Sequence, residues 1–134
     1  MEWTQDLSIG VEKIDEQHRE LFSRITALVN AIRSKTCKFE IVPTLRFLEE
    51  YTAEHFSDEE ALMQSVDYPD YEQHKALHTR FMDEFEALTR ELESESSSYY
   101  KSAYTNKMVV DWILNHIRKV DMELGAYIAS KRSS

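Results

Sequence analysis

The residues best suited to chemistry are five histidines, His18, His55, His74, His78 and His116. An imidazole nitrogen either carries a proton near neutral pH or ligates a metal. His74 and His78 are four residues apart, as are His55 and Glu59, so on a helix each pair shares one face, one turn apart. Two donors so placed serve one metal centre. Asp121 follows His116 by five residues, which on an ideal helix turns it about 140° away. It reaches the same site only if the helix widens locally in the π manner, a feature common at functional sites, or if its carboxylate tilts inward; otherwise it is a solvated acid.

Four amphipathic helices are needed to bring these residues together. Apolar residues recur every three or four positions from Leu21 to Ile32, Ile41 to Val66, Phe81 to Leu92 and Val109 to Ile128, the period of a helix with one buried face. This predicts helices over roughly 14–34, 40–66, 71–93 and 102–131, with Pro43 in the first turn of the second, where proline is tolerated. Pro69 ends that helix, because the residue before a proline is pushed out of the helical region. The run from Ser94 to Ser98 reads as a loop. Short connections make neighbouring helices antiparallel. The predicted fold is all-α, an up-down-up-down four-helix bundle about 30 Å long. Residues 1–13, with Trp3, Leu7, Ile9 and Val11, are too apolar for a free tail and are expected to lie on it as an extended arm.

All five histidines fall on the inward stripes. One buried histidine is usually a hydrogen-bonded structural residue. Five left unpaired would cost about 1–3 kcal/mol each, a large share of a domain's stability of roughly 5–15 kcal/mol. Something must bind them. Seven nitrogen and oxygen donors exceed what one tetrahedral zinc takes, and carboxylates among imidazoles suit iron or manganese. Two metals are implied, with Glu59 and Asp121 as candidate bridges.

Composition narrows the field. The 134 residues make one domain, 42% hydrophobic and 31% charged, with a net charge of -9 and only two glycines and two prolines. So few turn residues exclude an all-β fold. An acidic chain without a basic cluster is a poor partner for nucleic acid, and no apolar run is long enough to insert into a membrane. A lone Cys37 forms no intrachain disulfide and reads as an inert thiol. With no signal-peptide pattern at the N-terminus, the expected location is the cytoplasm.

The sequence resembles the bacterial hemerythrins over its whole length. The resemblance rests on Trp3 with Leu7-Ser-Ile-Gly-Val11, on Ile14-Asp-Glu-Gln-His18 with Leu21-Phe22, and on His55-Phe-x-x-Glu-Glu60 with Met63. It continues through Tyr68-Pro69, His74-x-x-x-His78-x-x-Phe81 and Trp112-x-x-x-His116-Ile-x-x-x-Asp121. It implies two iron ions in a non-haem, oxo- or hydroxo-bridged centre. His74, His78 and His116 would hold one iron, His18 and His55 the other, with Glu59 and Asp121 bridging. The two-histidine iron would keep an open position where dioxygen binds reversibly. Storage, sensing, or delivery to an oxygen-consuming enzyme or a signalling partner would follow.

The residues themselves favour binding over oxidation chemistry. Ferritin-like di-iron proteins use glutamate-rich shells with Glu-x-x-His pairs, and this chain has no Glu-x-x-His. Two further readings use the same ligands: a di-iron peroxidase or nitric oxide reductase, and an oxygen or redox signalling module. Trp112 and Ile117 are candidate walls of an oxygen pocket, with Phe22, Phe56 and Phe81 beside them; the plainer reading of that stripe is core. Met63 and Met108 read as packing residues, and the acids from Asp83 to Glu95 as a solvated face.

Overall fold

The computed structural model describes residues 2–33, 38–94 and 99–132. Four long antiparallel helices dominate it: α1 (Glu12–Arg33), α2 (Lys38–Ser65), α3 (Tyr71–Glu93) and α4 (Tyr99–Asn115), the last running through a π-helical turn (His116–Asp121) into α5 (Met122–Arg132). Among the described residues there is no strand, and no helix is long and apolar enough to cross a membrane. Cys37 and residues 95–98, expected as a free thiol and a loop, lie outside the described residues.

Helix starts differ most from the periodicity. α2 begins at Lys38 instead of residue 40, so Pro43 sits one turn inside it and removes a backbone donor there. The fourth helix begins at Tyr99 instead of residue 102. α1 begins at Glu12, shortening the arm, and the arm itself carries a 3-10 turn over Gln5–Leu7. Asp15 explains how the arm docks. Its carboxylate accepts from the Ile9 backbone N–H at 2.9 Å and from the Ser8 hydroxyl, which fixes the approach of Ile9 to the bundle. Ile9 then meets α5 at Gly125, where a Cβ would lie 2.9 Å from the Ile9 Cα and Cβ.

α2 ends in a Schellman motif. The Tyr68 N–H donates to the Met63 carbonyl at 2.9 Å and the Asp67 N–H to the Gln64 carbonyl at 3.2 Å, with Asp67 at φ 51° in the position glycine usually takes. Three side chains of α5 cover the carbonyls left at this end of the bundle: Tyr127 reaches Val66 and Asp67, Lys131 reaches Val66, and Arg132 reaches Gly10 of the arm.

The core has two parts. A small cluster of Ile9, Ile14, Met63, Tyr68, Leu124 and Ile128 fills the arm end. The larger one, built on Leu21, Phe22, Leu48, Phe56, Phe85 and Ile113 among others, fills the rest. Between them lies a buried polar layer containing all five histidines.

Candidate metal centre

Each long helix delivers donors to that layer. α1 contributes His18, α2 His55 and Glu59, α3 His74 and His78, and the π turn His116 and Asp121. The widening that Asp121 needs is present, since His116–Asp121 is the π-helical segment. Both residues consequently face inward, and the Glu59 and Asp121 side chains are wholly buried.

The two carboxylates divide the layer in a specific way. Glu59 Oε1 lies 2.8 Å from His74 Nε2 and 3.2 Å from His78 Nε2, whereas its Oε2 lies 3.3 Å from His55 Nε2 and 3.7 Å from His18 Nε2. Asp121 repeats the pattern: Oδ1 is 3.2 Å from both His74 and His116, and Oδ2 is 3.0 Å from His18. Ligand atoms of Glu59, His74, His78, His116 and Asp121 all lie within 4.8 Å of one another, and so do those of His18, His55, Glu59 and Asp121. The result is two cation-sized groups of donors sharing two carboxylates.

Hydrogen bonding does not account for this packing. His116 Nε2 is 3.2 Å from His74 Nε2 and 3.0 Å from His78 Nε2, so three ring nitrogens converge where few protons can be placed between them. Both oxygens of Glu59, both of Asp121, both nitrogens of His18 and Nε2 of His55 are buried without an aligned hydrogen-bond partner. Such groups are costly to bury. Lone pairs converging in this way fit metal ions, and imidazole with carboxylate is a donor set suited to iron.

Without a metal, the layer relieves its charge with protons. Burial opposes a charged His18, but the Asp121 and Glu59 carboxylates outweigh it and raise its pKa from 6.5 to about 9. The same contest raises His74 to about 9 and His116 in the same direction. Burial disfavours the Glu59 anion as well, yet His116, His18, His55 and His74 hold its pKa well below the usual carboxylate range; Asp121 is depressed likewise.

Outside the donors lies a set of residues that the periodicity did not single out. The His55 Nδ1–H donates to Gln17 Oε1 at 2.8 Å, and the His78 Nδ1–H to Glu60 Oε2 at 2.9 Å. These bonds fix the tautomer and leave Nε2 bare for a cation. Gln17, Asp58 and Glu60 are each next in sequence to a donor, and that adjacency was the only signal available. Which of them would reach across to another helix depended on packing.

The aromatic residues sort themselves around the two groups. Phe56 stacks on His78 with centroids 3.7 Å apart, and its ring centroid is 5.8 Å from those of both His55 and His116, so it borders both groups. Trp112 stacks on His116 at 4.5 Å and on Phe81 at 3.9 Å, beside the three-histidine group. It is partly exposed and lines a cleft of about 280 Å³ between α3 and α4. Ile117 is fully buried. Met63 is buried as expected, but Met108 is 39% exposed, a correction to its reading as a packing residue; the edge of the α3–α4 cleft leaves it uncovered.

Residues 9–128 match the family model of the hemerythrin HHE cation-binding domain. The chain is 30% identical to a myohemerythrin of Theromyzon tessulatum, covering 91% of this chain and 88% of that one. It is 32% identical to a bacteriohemerythrin of Campylobacter jejuni, covering 93% and 92%. A crystal structure of wild-type hemerythrin superposes with a TM-score of 0.83 at 30% identity, covering 94% of this chain and 95% of that chain.

Proposed function

The chain belongs to the hemerythrin HHE cation-binding family, and from that premise we propose that it binds dioxygen reversibly at a non-haem di-iron centre. The observation that carries this reading is the division of labour in the carboxylates: Glu59 and Asp121 each turn one oxygen to His74 and the other to His18. A shared carboxylate offers one oxygen to each of two cations and offsets their repulsion. His74, His78 and His116 would hold one iron, His18 and His55 the other, with Glu59 and Asp121 common to both.

When bound, the iron pair supplies two electrons that dioxygen borrows and returns. The protein's part is to hold and to exclude. With two histidines against three, the His18/His55 half is the less filled and is the one open to a small ligand. Phe56, buried and with its ring centroid 5.8 Å from that of His55, would keep water from that half, Ile117 is buried in the core beside the layer, and Trp112 would close the three-histidine half by covering His116. A shell of five histidines and two carboxylates is poorer in anionic donors than a glutamate-rich oxidase shell, which favours release over oxidation. The carrier would serve storage, sensing or delivery in the cytoplasm.

The test is anaerobic reduction of protein whose iron has been counted, admission of oxygen, and then its removal. Two irons per chain and a charge-transfer band that appears with oxygen and vanishes without it are expected. Direct passage to the diferric spectrum on fast mixing, or catalytic consumption of peroxide or nitric oxide, would overturn the carrier reading.

A further inference from the structure

Two donor histidines have an outer partner of known identity, and the two partners differ in charge. His78 donates to the carboxylate of Glu60, whereas His55 donates to the neutral amide of Gln17. Gln17 cannot turn over, because its Nε2 donates to Asp58 Oδ2 at 2.7 Å, and Asp58 is approached in turn by Lys13 Nζ at 3.6 Å. The chain Lys13–Asp58–Gln17–His55 runs from solvent to the two-histidine group, and its one carboxylate is kept a residue away from the imidazole. On the other side the carboxylate touches the imidazole directly.

We propose that Gln17, oriented by Asp58, is a positioning residue that holds His55 in the Nδ1–H tautomer with a deliberately neutral acceptor, keeping the two-histidine half less electron-rich than the three-histidine half. This rests on the di-iron reading above. An amide acceptor fixes ring and tautomer as a carboxylate does, but it withdraws less of the Nδ1 proton and leaves His55 the weaker donor. The half expected to take oxygen is thereby made slower to give up electrons irreversibly. Glu60 acts oppositely through His78.

The experiment uses the full chain in three forms: wild type, Gln17→Leu, and the exchange Gln17→Glu/Asp58→Asn. The exchange keeps the net charge and the cross-link between the two positions but moves the carboxylate onto His55. In zinc-loaded protein, a slowly exchanging His55 Nδ1–H resonance is expected in wild type and its loss in Gln17→Leu. Ferrous titration of Gln17→Leu should show one of two sites weakened about 10- to 100-fold. In the exchange variant, two irons should bind as in wild type, while the reduction potential falls and autoxidation quickens. Should Gln17→Leu fail to fold, the exchange variant carries the test alone. A His55 resonance that survives Gln17→Leu, or an exchange variant with the wild-type potential and autoxidation rate, overturns the inference while the di-iron reading stands. A wild-type chain that takes up a single metal overturns both.

Discussion

Replacing Glu59 by glutamine keeps the size of the side chain and removes its charge. Glu59 is the residue to perturb because its Oε1 serves the three-histidine group and its Oε2 the two-histidine group. An amide has one oxygen, so the variant can ligate on one side only. On the other side an N–H₂ faces the place of the cation. The donors of each group lie within 4.8 Å of one another. A unit charge about 4 Å from a cation charge at an effective dielectric near 20 is worth about 4 kcal/mol, or about a thousandfold in affinity. The expected outcome of Glu59→Gln is one tightly held metal per chain instead of two, with the second site weakened at least about a thousandfold. The assay is anaerobic ferrous titration with metal counted after gel filtration, and circular dichroism to show that the helices persist. Two metals retained at wild-type affinity, with an unchanged binuclear spectrum, would refute the idea that Glu59 is shared.

His74→Ala removes a donor that lies 2.8 Å from Glu59 and 3.2 Å from Asp121; iron analysis should show the three-histidine half emptied and the binuclear spectrum gone. Gly125→Ala forces a Cβ to within 2.9 Å of Ile9. Overpacking of about 1–3 kcal/mol, less roughly 1 kcal/mol of gained helix propensity, should lower Tm by several degrees in a melt and leave metal content unchanged. In metal-free protein His18 and His74 have pKa values raised to about 9 from 6.5. Their stabilisation is complete below about pH 6.5 and lost as pH rises through about 9, while the depressed Glu59 and Asp121 lose theirs in acid. Metal-free Tm should therefore fall from pH 6.5 to 9.5. Metal loading should instead weaken as pH falls, because those protons compete; a metal-free Tm flat across the range would contradict the charge balance described.

The sequence made the bundle legible because its stripes keep a period of three or four for twenty residues at a time, a signal that survives any error at the ends. Ends were less legible: the stripe of α2 begins at Ile41, whereas the helix starts at Lys38, two residues before the expected position, so that Pro43 sits inside it. The donors were legible as types and spacings, but the five-residue step from His116 to Asp121 left a widened helix and a tilted carboxylate both open, and the structure contains the π turn. The outer partners were not. Gln17 reaching Asp58 and His55, and Glu60 reaching His78, are contacts between helices that depend on rotation and register, which periodicity fixes only to a face. Nor was the uneven placing of the aromatics, with Phe56 bordering both groups and Trp112 only one.

The distribution of donors over the chain also sets a clock. Both groups include Asp121, and Asp121 turns inward only in the π segment of the fourth helix. On a ribosome, Asp121 is made about a hundred residues after His18, a delay of roughly 5–20 s at ordinary rates of synthesis. During that interval the emerging chain holds a growing set of imidazoles but neither complete group. A metal ion that needs either complete group can therefore be held only once the fourth helix has been made.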